Sequence, residues 1–206
     1  MHGIEAVVFD VGETLVDESR AWAELAVRAG LTPLTLMAAL GAVIERGYDH
    51  RRVWEVVGVD APTELPGIEG VDLYPDALPT LQGLRAAGFL VGIAGNQPAE
   101  AEEQLRAAGF EADFIASSAV WGVAKPSSEF FDRVVAAAGR SASAILYVGD
   151  RVDNDVLPAR AAGMHTAFIR RGPWGVIHAQ RDEAAFADLR IDSLAELLPA
   201  LERMDA

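Results

Sequence analysis

Hydrophobic positions change period along this chain and so separate two kinds of element. Residues 4–9 form a short apolar run, rich in Val and broken once by Glu5. Its length and make-up suit a strand buried on both faces. After Leu15 the period becomes helical: Trp22, Leu25, Ala26 and Ala29 share a face over residues 18–29, and Gly30 ends the segment. Thr32-Pro33 reads as an N-cap followed by a proline in the first turn. The helix it opens carries Leu36, Met37, Leu40, Val43 and Ile44 on its apolar face and stops at Gly47. A third amphipathic piece covers residues 49–57, and residues 58–75, rich in Gly, Pro and acid, read as a connector.

From Pro75 onward helical and strand periods alternate. Helices are expected over residues 76–87, 98–108, 127–138, 153–162 and 194–203, and buried strands over 89–94, 113–116, 144–148 and 164–169. The joint Arg-Ala-Ala-Gly-hydrophobic recurs at residues 85–89, 106–110 and 160–164. Glycine there stops a helix in the left-handed conformation, and the next apolar residue starts or docks a strand. This rhythm predicts an α/β fold: a parallel sheet with helices on both faces, its strand carboxyl ends gathered on one edge by right-handed crossovers. The core expected is residues 1–16 and 75–206, with a small α-helical insert, 17–74, after the first strand.

Composition narrows the picture. The chain has 206 residues, 51% hydrophobic and 23% charged, enough to bury a good core and too apolar for disorder. A formal charge of −14 argues against a nucleic-acid partner. The absence of cysteine removes disulfides, thiolate metal sites and thiol nucleophiles. With no leader pattern and no long apolar run, the expectation is a cytoplasmic protein without a membrane partner. Oligomeric state is open. Among 17 basic residues Lys125 is the one lysine.

Four strand ends carry candidate chemistry. The first ends in Asp10, the second in Gly95-Asn96 before a helix, the third leads to Lys125-Pro126, and the fourth ends in Gly149-Asp150 with Asp155 five residues on. Open α/β sheets place ligand sites at such ends. Asp10, Asp150 and Asp155 crowded together need a neutralising cation, and oxygen-only ligands favour a hard one, Mg²⁺. Lys125 adds a point charge for an anionic small-molecule substrate.

Phe-Asp-Val-Gly-Glu-Thr-Leu, a strand ending in Gly-Asn, then Lys-Pro, then Val-Gly-Asp-Arg-Val-Asp-Asn-Asp-Val together resemble the haloacid dehalogenase-like hydrolase superfamily, as does Ala-Gly-Met-His-Thr at 162–166. The resemblance implies a Rossmann-like core with a small α-helical cap formed by residues 17–74. It implies Asp10 as a nucleophile forming an aspartyl-phosphate and as a Mg²⁺ ligand. Asp150 would be the main acidic metal ligand, Asp155 its support, and Lys125 the group that steadies Asp10 and the phosphoryl oxygens. Gly95 and Asn96 fall at the substrate-binding motif.

Two positions depart from that family. Its phosphatases carry a general acid/base Asp two residues after the nucleophile; here the position is Gly12, which keeps only a carbonyl for Mg²⁺. The usual Ser or Thr of the second motif is Gly95, with Asn96 a possible substitute donor. Glu13 is one residue out of register, so in an extended stretch it points away. Three readings follow: a Mg²⁺-dependent phosphatase of a small metabolite, slowed by the missing acid; a 2-haloacid dehalogenase-type hydrolase using Asp10, since halide leaves without a proton; and a catalytically silent binding protein. The phosphonate-cleaving branch needs a cap lysine, and residues 17–74 contain none. Trp22, Arg46, His50, Arg51, Arg52 and Trp54 are insert residues within possible reach of substrate, although packing and solvation are their commoner uses. Residues 170–174 read as a basic rim loop or a turn with a packed Trp. His165, in a strand, and His178, on a late polar segment, do not read as ligands.

Overall fold

The first strand, β1 (Ala6–Phe9), lies in the middle of the sheet, where both its faces are covered. In the computed structural model, which describes residues 3–205, six strands pair in parallel in the order β3-β2-β1-β4-β5-β6. The others are β2 (Leu90–Gly95), β3 (Phe114–Ser117), β4 (Ile145–Gly149), β5 (His165–Ile169) and β6 (Leu189–Ile191). This is a Rossmann-like α/β fold. Residues 1, 2 and 206, included in the expected core, lie outside the described residues.

Alternation along β1 divides the core. Val7 and Phe9 face a cluster with Leu81 and Leu84 of α4 (Ala77–Ala86) and Leu197 and Leu201 of α10 (Leu197–Asp205). Ala6 and Val8 face Phe130, Phe131 and Val134 of α7 (Ser128–Ala138) and Tyr147 of β4. Both sets are buried, which is why the strand has no polar face to show in its sequence. The three Arg-Ala-Ala-Gly joints behave as expected: Gly88, Gly109 and Gly163 take φ of 93°, 104° and 84°.

Between β1 and α4 the chain makes α1 (Ser19–Arg28), α2 (Pro33–Glu45) and α3 (Val53–Val57). Thr32 caps α2, its hydroxyl accepting from the Thr35 N–H at 3.2 Å, with Pro33 in the first turn. Leu25, Leu36, Leu40, Val43, Ile44 and Val53 form a separate cluster in these helices. The outgoing and returning chains run side by side: the Asp17 N–H donates to Asp72 O (2.7 Å) and the Tyr74 N–H to Leu15 O (3.0 Å). Arg20 of α1 clamps the return, giving Asp72 two hydrogen bonds of 2.8 and 2.6 Å and the Gly67 carbonyl one of 2.7 Å.

The structure adds elements that periodicity did not show. One is the short helix α6 (Ser118–Trp121), while α5 (Ala101–Ala107) is shorter than the helix expected over 98–108. The helix expected over 153–162 divides into a wide π-turn, Val152–Val156, and α8 (Leu157–Ala161). The Val156 N–H donates five residues back to the Arg151 carbonyl (3.2 Å), and the extra residue turns Asp155 inward. Residues 170–174 lead into α9 (Gly172–His178), whose Trp174 is buried in the helical insert's cluster. No helix among the described residues is long and apolar enough to cross a membrane.

Candidate active site

The strand order reverses beside β1, whose neighbours are β2 and β4, so the crevice at its carboxyl end is the switch point of the sheet. The parallel register sets Phe9 beside Val148, and the Asp10 N–H donates to the Val148 carbonyl at 2.9 Å. Asp10 and Asp150 thus leave adjacent strands at nearly the same height. Asp155 returns to them through the π-turn, and oxygens of the three carboxylates lie within 4.8 Å of one another.

Lys125 is the one cation at their centre. Its Nζ lies 2.6 Å from Asp10 Oδ1 and 2.6 Å from Asp155 Oδ1, with its side chain fully buried. It also lies over the Tyr147 ring, 5.4 Å from the centroid, while the Tyr147 hydroxyl donates to the Ala94 carbonyl (2.8 Å). Burial disfavours the ammonium, but Asp10 and Asp155 outweigh it and hold its pKa well above that of free lysine. Burial pushes the Asp150 carboxyl well above the usual carboxylate range, with Asp155 and Asp10 adding to the rise. Burial likewise raises Asp155, against the pull of Lys125.

These groups fit a divalent cation. Three carboxylates face one ammonium, every donor is oxygen, and Asp150 Oδ2 is buried without a hydrogen-bond partner in the protein. An uncompensated carboxylate oxygen in such a place costs several kcal/mol, on the order of a lost charged hydrogen bond or more.

The flanking residues are fixed by contact. A Cβ on Gly95 would lie 2.6 Å from Asp10 Oδ1, so the missing Ser or Thr leaves room for the nucleophile candidate itself. Asn96 brackets Lys125: its Oδ1 accepts from the Lys125 N–H (2.8 Å) and its Nδ2 donates to the Lys125 carbonyl (3.0 Å). The amide is committed to holding the lysine loop, and Asn96 is exposed. A Cβ on Gly149 would press on Asp155, 2.7 Å from its Cβ and closer to its carboxylate.

Glu13 does not face this cluster, though not because the chain is extended. It takes φ 54°, and its carboxylate accepts from the Tyr74 hydroxyl (2.6 Å) and the Glu18 N–H (3.0 Å). It ties the loop after Asp10 to the root of the insert. Glu18, just before α1, carries no motif signature, and sequence reasoning passed over it. Its carboxylate lies against Gly12 and accepts from Trp22 Nε1 at 3.3 Å. Burial and the nearby Glu13 carboxylate push its pKa up to about 7.

Residues from the insert and α9 meet one another beside Arg151, which follows Asp150. The His50 ring packs edge-on between Trp22 and Trp174, with centroids 6.4 and 5.8 Å away, and the Arg151 guanidinium lies 5.2 Å from the Trp174 ring centroid. The other insert candidates are placed differently. Arg46, Arg51 and Arg52 are exposed, and Trp54 is half-buried against the insert's own cluster. Arg171 is drawn to Asp76 (3.0 and 2.6 Å) and is not a free rim cation. His178 is buried, its Nδ1 accepting from the Val152 N–H at 3.1 Å, so it pins the loop that follows Asp150.

A Rossmann-like sheet with an acidic, lysine-bridged cluster at its switch point defines an α/β protein that gathers charged groups at its strand ends, where such folds place their ligand sites. The chain belongs to the haloacid dehalogenase-like hydrolases, whose family profile matches residues 4–163. It is 30% identical to a glyceraldehyde 3-phosphate phosphatase of Methanopyrus kandleri, over 98% of both chains. It is 29% identical to one of Pyrococcus furiosus, over 98% of this chain and 95% of that one. Two crystal structures, each 23% identical, share the fold. A HAD phosphatase from Thermococcus onnurineus matches with a TM-score of 0.64 over 96% of this chain and 97% of its own. A dehalogenase captured with an intermediate matches with a TM-score of 0.71 over 98% of both.

Proposed function

We propose that this hydrolase is a Mg²⁺-dependent phosphatase of a small phosphorylated metabolite, acting through an aspartyl-phosphate on Asp10. The observation that carries this reading is the buried cluster in which Lys125 bridges Asp10 and Asp155 while Asp150 keeps an unpartnered oxygen. The relatives named as glyceraldehyde 3-phosphate phosphatases support a substrate of that size and charge.

Lys125 fixes Asp10 Oδ1 and with it the rotamer, so the second carboxylate oxygen is the nucleophile. That oxygen attacks phosphorus, the bond to the leaving oxygen breaks, and the phosphoryl group passes to Asp10. Water then attacks the same phosphorus, the bond to Asp10 breaks, and inorganic phosphate leaves. Lys125 balances charge on the phosphoryl oxygens in both halves. Asp10, Asp150 and Asp155 would hold Mg²⁺, which supplies charge neutralisation on the transferring group when bound. Residues 17–74 act as a cap that covers the reacting atoms.

The test is hydrolysis of glyceraldehyde 3-phosphate and of an aryl phosphate, with Mg²⁺ and with chelator, beside the Asp10→Asn variant. Turnover that needs Mg²⁺ and vanishes in the variant is expected. Metal-independent release of halide from 2-haloacids would establish the dehalogenase reading instead. Inactivity toward all three in a folded, Mg²⁺-binding protein would establish a silent binder.

A further inference from the structure

Gly12 does not lie in the left-handed region, so its backbone does not call for glycine. What a side chain there would meet is Glu18: a Cβ on residue 12 would run into the Glu18 carboxylate, with its Cδ at 2.8 Å, and Glu18 would have to move aside. The two positions share one volume, and a carboxyl from the insert fills it. Glu18 is also anchored on both sides. Its N–H donates to Glu13 Oε1 (3.0 Å), and its Oε2 accepts from Trp22 Nε1 (3.3 Å), which leaves Oε1 turned to Gly12. The residue as a whole is half-buried. Of the other acids nearby, Glu13 is committed to Tyr74 and the Glu18 N–H, Asp17 to the Ser19 N–H, and Asp10 and Asp155 to Lys125; Asp150, whose Oδ2 has no partner, belongs to the carboxylate cluster that would hold the metal.

We propose that Glu18 is the proton-transferring carboxyl of this active site, delivered from the insert into the space that a side chain on residue 12 would fill. The proposal rests on the phosphatase reading above. In the first half-reaction Asp10 attacks phosphorus, the bond to the substrate oxygen breaks, and the Glu18 proton passes to that oxygen, which leaves as the alcohol. In the second, water attacks the aspartyl-phosphate and gives its proton to the Glu18 carboxylate. The Asp10–phosphorus bond breaks and phosphate departs, restoring both acids to their starting forms. Because the carboxyl belongs to the insert, the proton donor is present only while the insert is seated on the nucleophile loop.

The decisive measurement compares an alkyl phosphate, glycerol 3-phosphate, with an aryl phosphate, whose leaving group needs no proton. Rapid-quench kinetics follow both the phosphoenzyme and the released phosphate. Glu18→Gln is expected to lower alkyl phosphate turnover by about 10²–10⁴-fold. Its phosphorylation by the aryl phosphate should stay within a few-fold of wild type, and the phosphoenzyme should accumulate as a burst because its hydrolysis is slowed. Gly12→Ala, which leaves Glu18 chemically intact but displaces it, should show the same leaving-group selectivity. The pair Gly12→Asp with Glu18→Ala should regain at least tenfold in alkyl turnover over Glu18→Ala alone. Equal losses in the rate of phosphoenzyme formation from both substrates, or no loss in it from either, would overturn the proposal. Failure of the wild-type protein to form any Asp10 phosphoenzyme would instead overturn the phosphatase reading on which it rests.

Discussion

Lys125 holds together charges that would otherwise repel. Replacing it by Met leaves Asp10 and Asp155 buried without their shared cation, and loss of one partner from a buried pair costs about 3–5 kcal/mol. Denaturant unfolding of Lys125→Met should show a loss of that order, and activity should disappear with it. Gly149→Ala is a subtler change. Its Cβ would press on Asp155, and forcing a methyl into a packed site costs about 1–3 kcal/mol. The same variant should weaken Mg²⁺ binding measured by calorimetry, because Asp155 must move. The meeting of Asp10, Lys125, Asp150 and Asp155 was legible in the sequence because Asp10 and Asp150 directly follow apolar strands, and Lys125 and Asp155 lie on the segments that lead away from strand ends. Glu18 was not legible. Its part depends on a helix root folding back on Gly12, a contact between residues six apart that no motif spacing encodes. The Glu13 turn was hidden for a similar reason, since a left-handed glutamate is held there by Tyr74 from the far end of the insert.

At the scale of elements, α9 joins the two parts of the molecule. Gly-Pro-Trp-Gly has poor intrinsic helix propensity, so the sequence favoured a loop or turn; packing of Trp174 into the insert's cluster overrides that preference. Trp174→Ala should therefore destabilise the protein by about 3–5 kcal/mol, read from urea unfolding. The same helix ends in His178, whose neutral ring accepts from the Val152 N–H. Burial pushes its pKa down to about 4. The unfolded chain takes up that proton near pH 6.5 and the folded protein only near 4. The His178 contribution is therefore complete above pH 6.5 and is lost progressively as pH falls toward 4. His178→Gln, which can keep an acceptor for Val152, should flatten that limb of the stability–pH curve; an unchanged limb would assign it to other groups. Strands β1 to β5 and most core helices could be read from period alone. β6 could not, because Leu-Arg-Ile is too short to show alternation and is recognisable only by its pairing with β5.

At the scale of the whole molecule, the acidic cluster sits in a chain of net charge −14, and the active site concentrates charge that the fold does not fully pair. Asp150 and Asp155 keep their protons to higher pH than free carboxyls, which means that folding loses stability as pH rises through that range. A bound divalent cation reverses this by taking the place of the protons. Mg²⁺ should raise the melting temperature, and by more at pH 7.5 than at pH 5; Asp150→Asn should abolish most of the increment. The run of helices after β1 and the alternating strands and helices that follow it were readable from the change of period. The seating of the insert was not, because it depends on Arg20, Glu13, Trp174 and Arg181, which donates to the Ile44 carbonyl (2.8 Å), and their partners lie far away in the chain. The central claim is that Asp10 becomes covalently phosphorylated. Acid quench of the protein during turnover of an aryl phosphate, followed by peptide mass mapping, tests it most directly. The account predicts a phosphoryl group on the peptide containing Asp10, formed only with Mg²⁺ and absent from Asp10→Asn. Release of phosphate without any phosphorylated Asp10, and undiminished in Asp10→Asn, would contradict it.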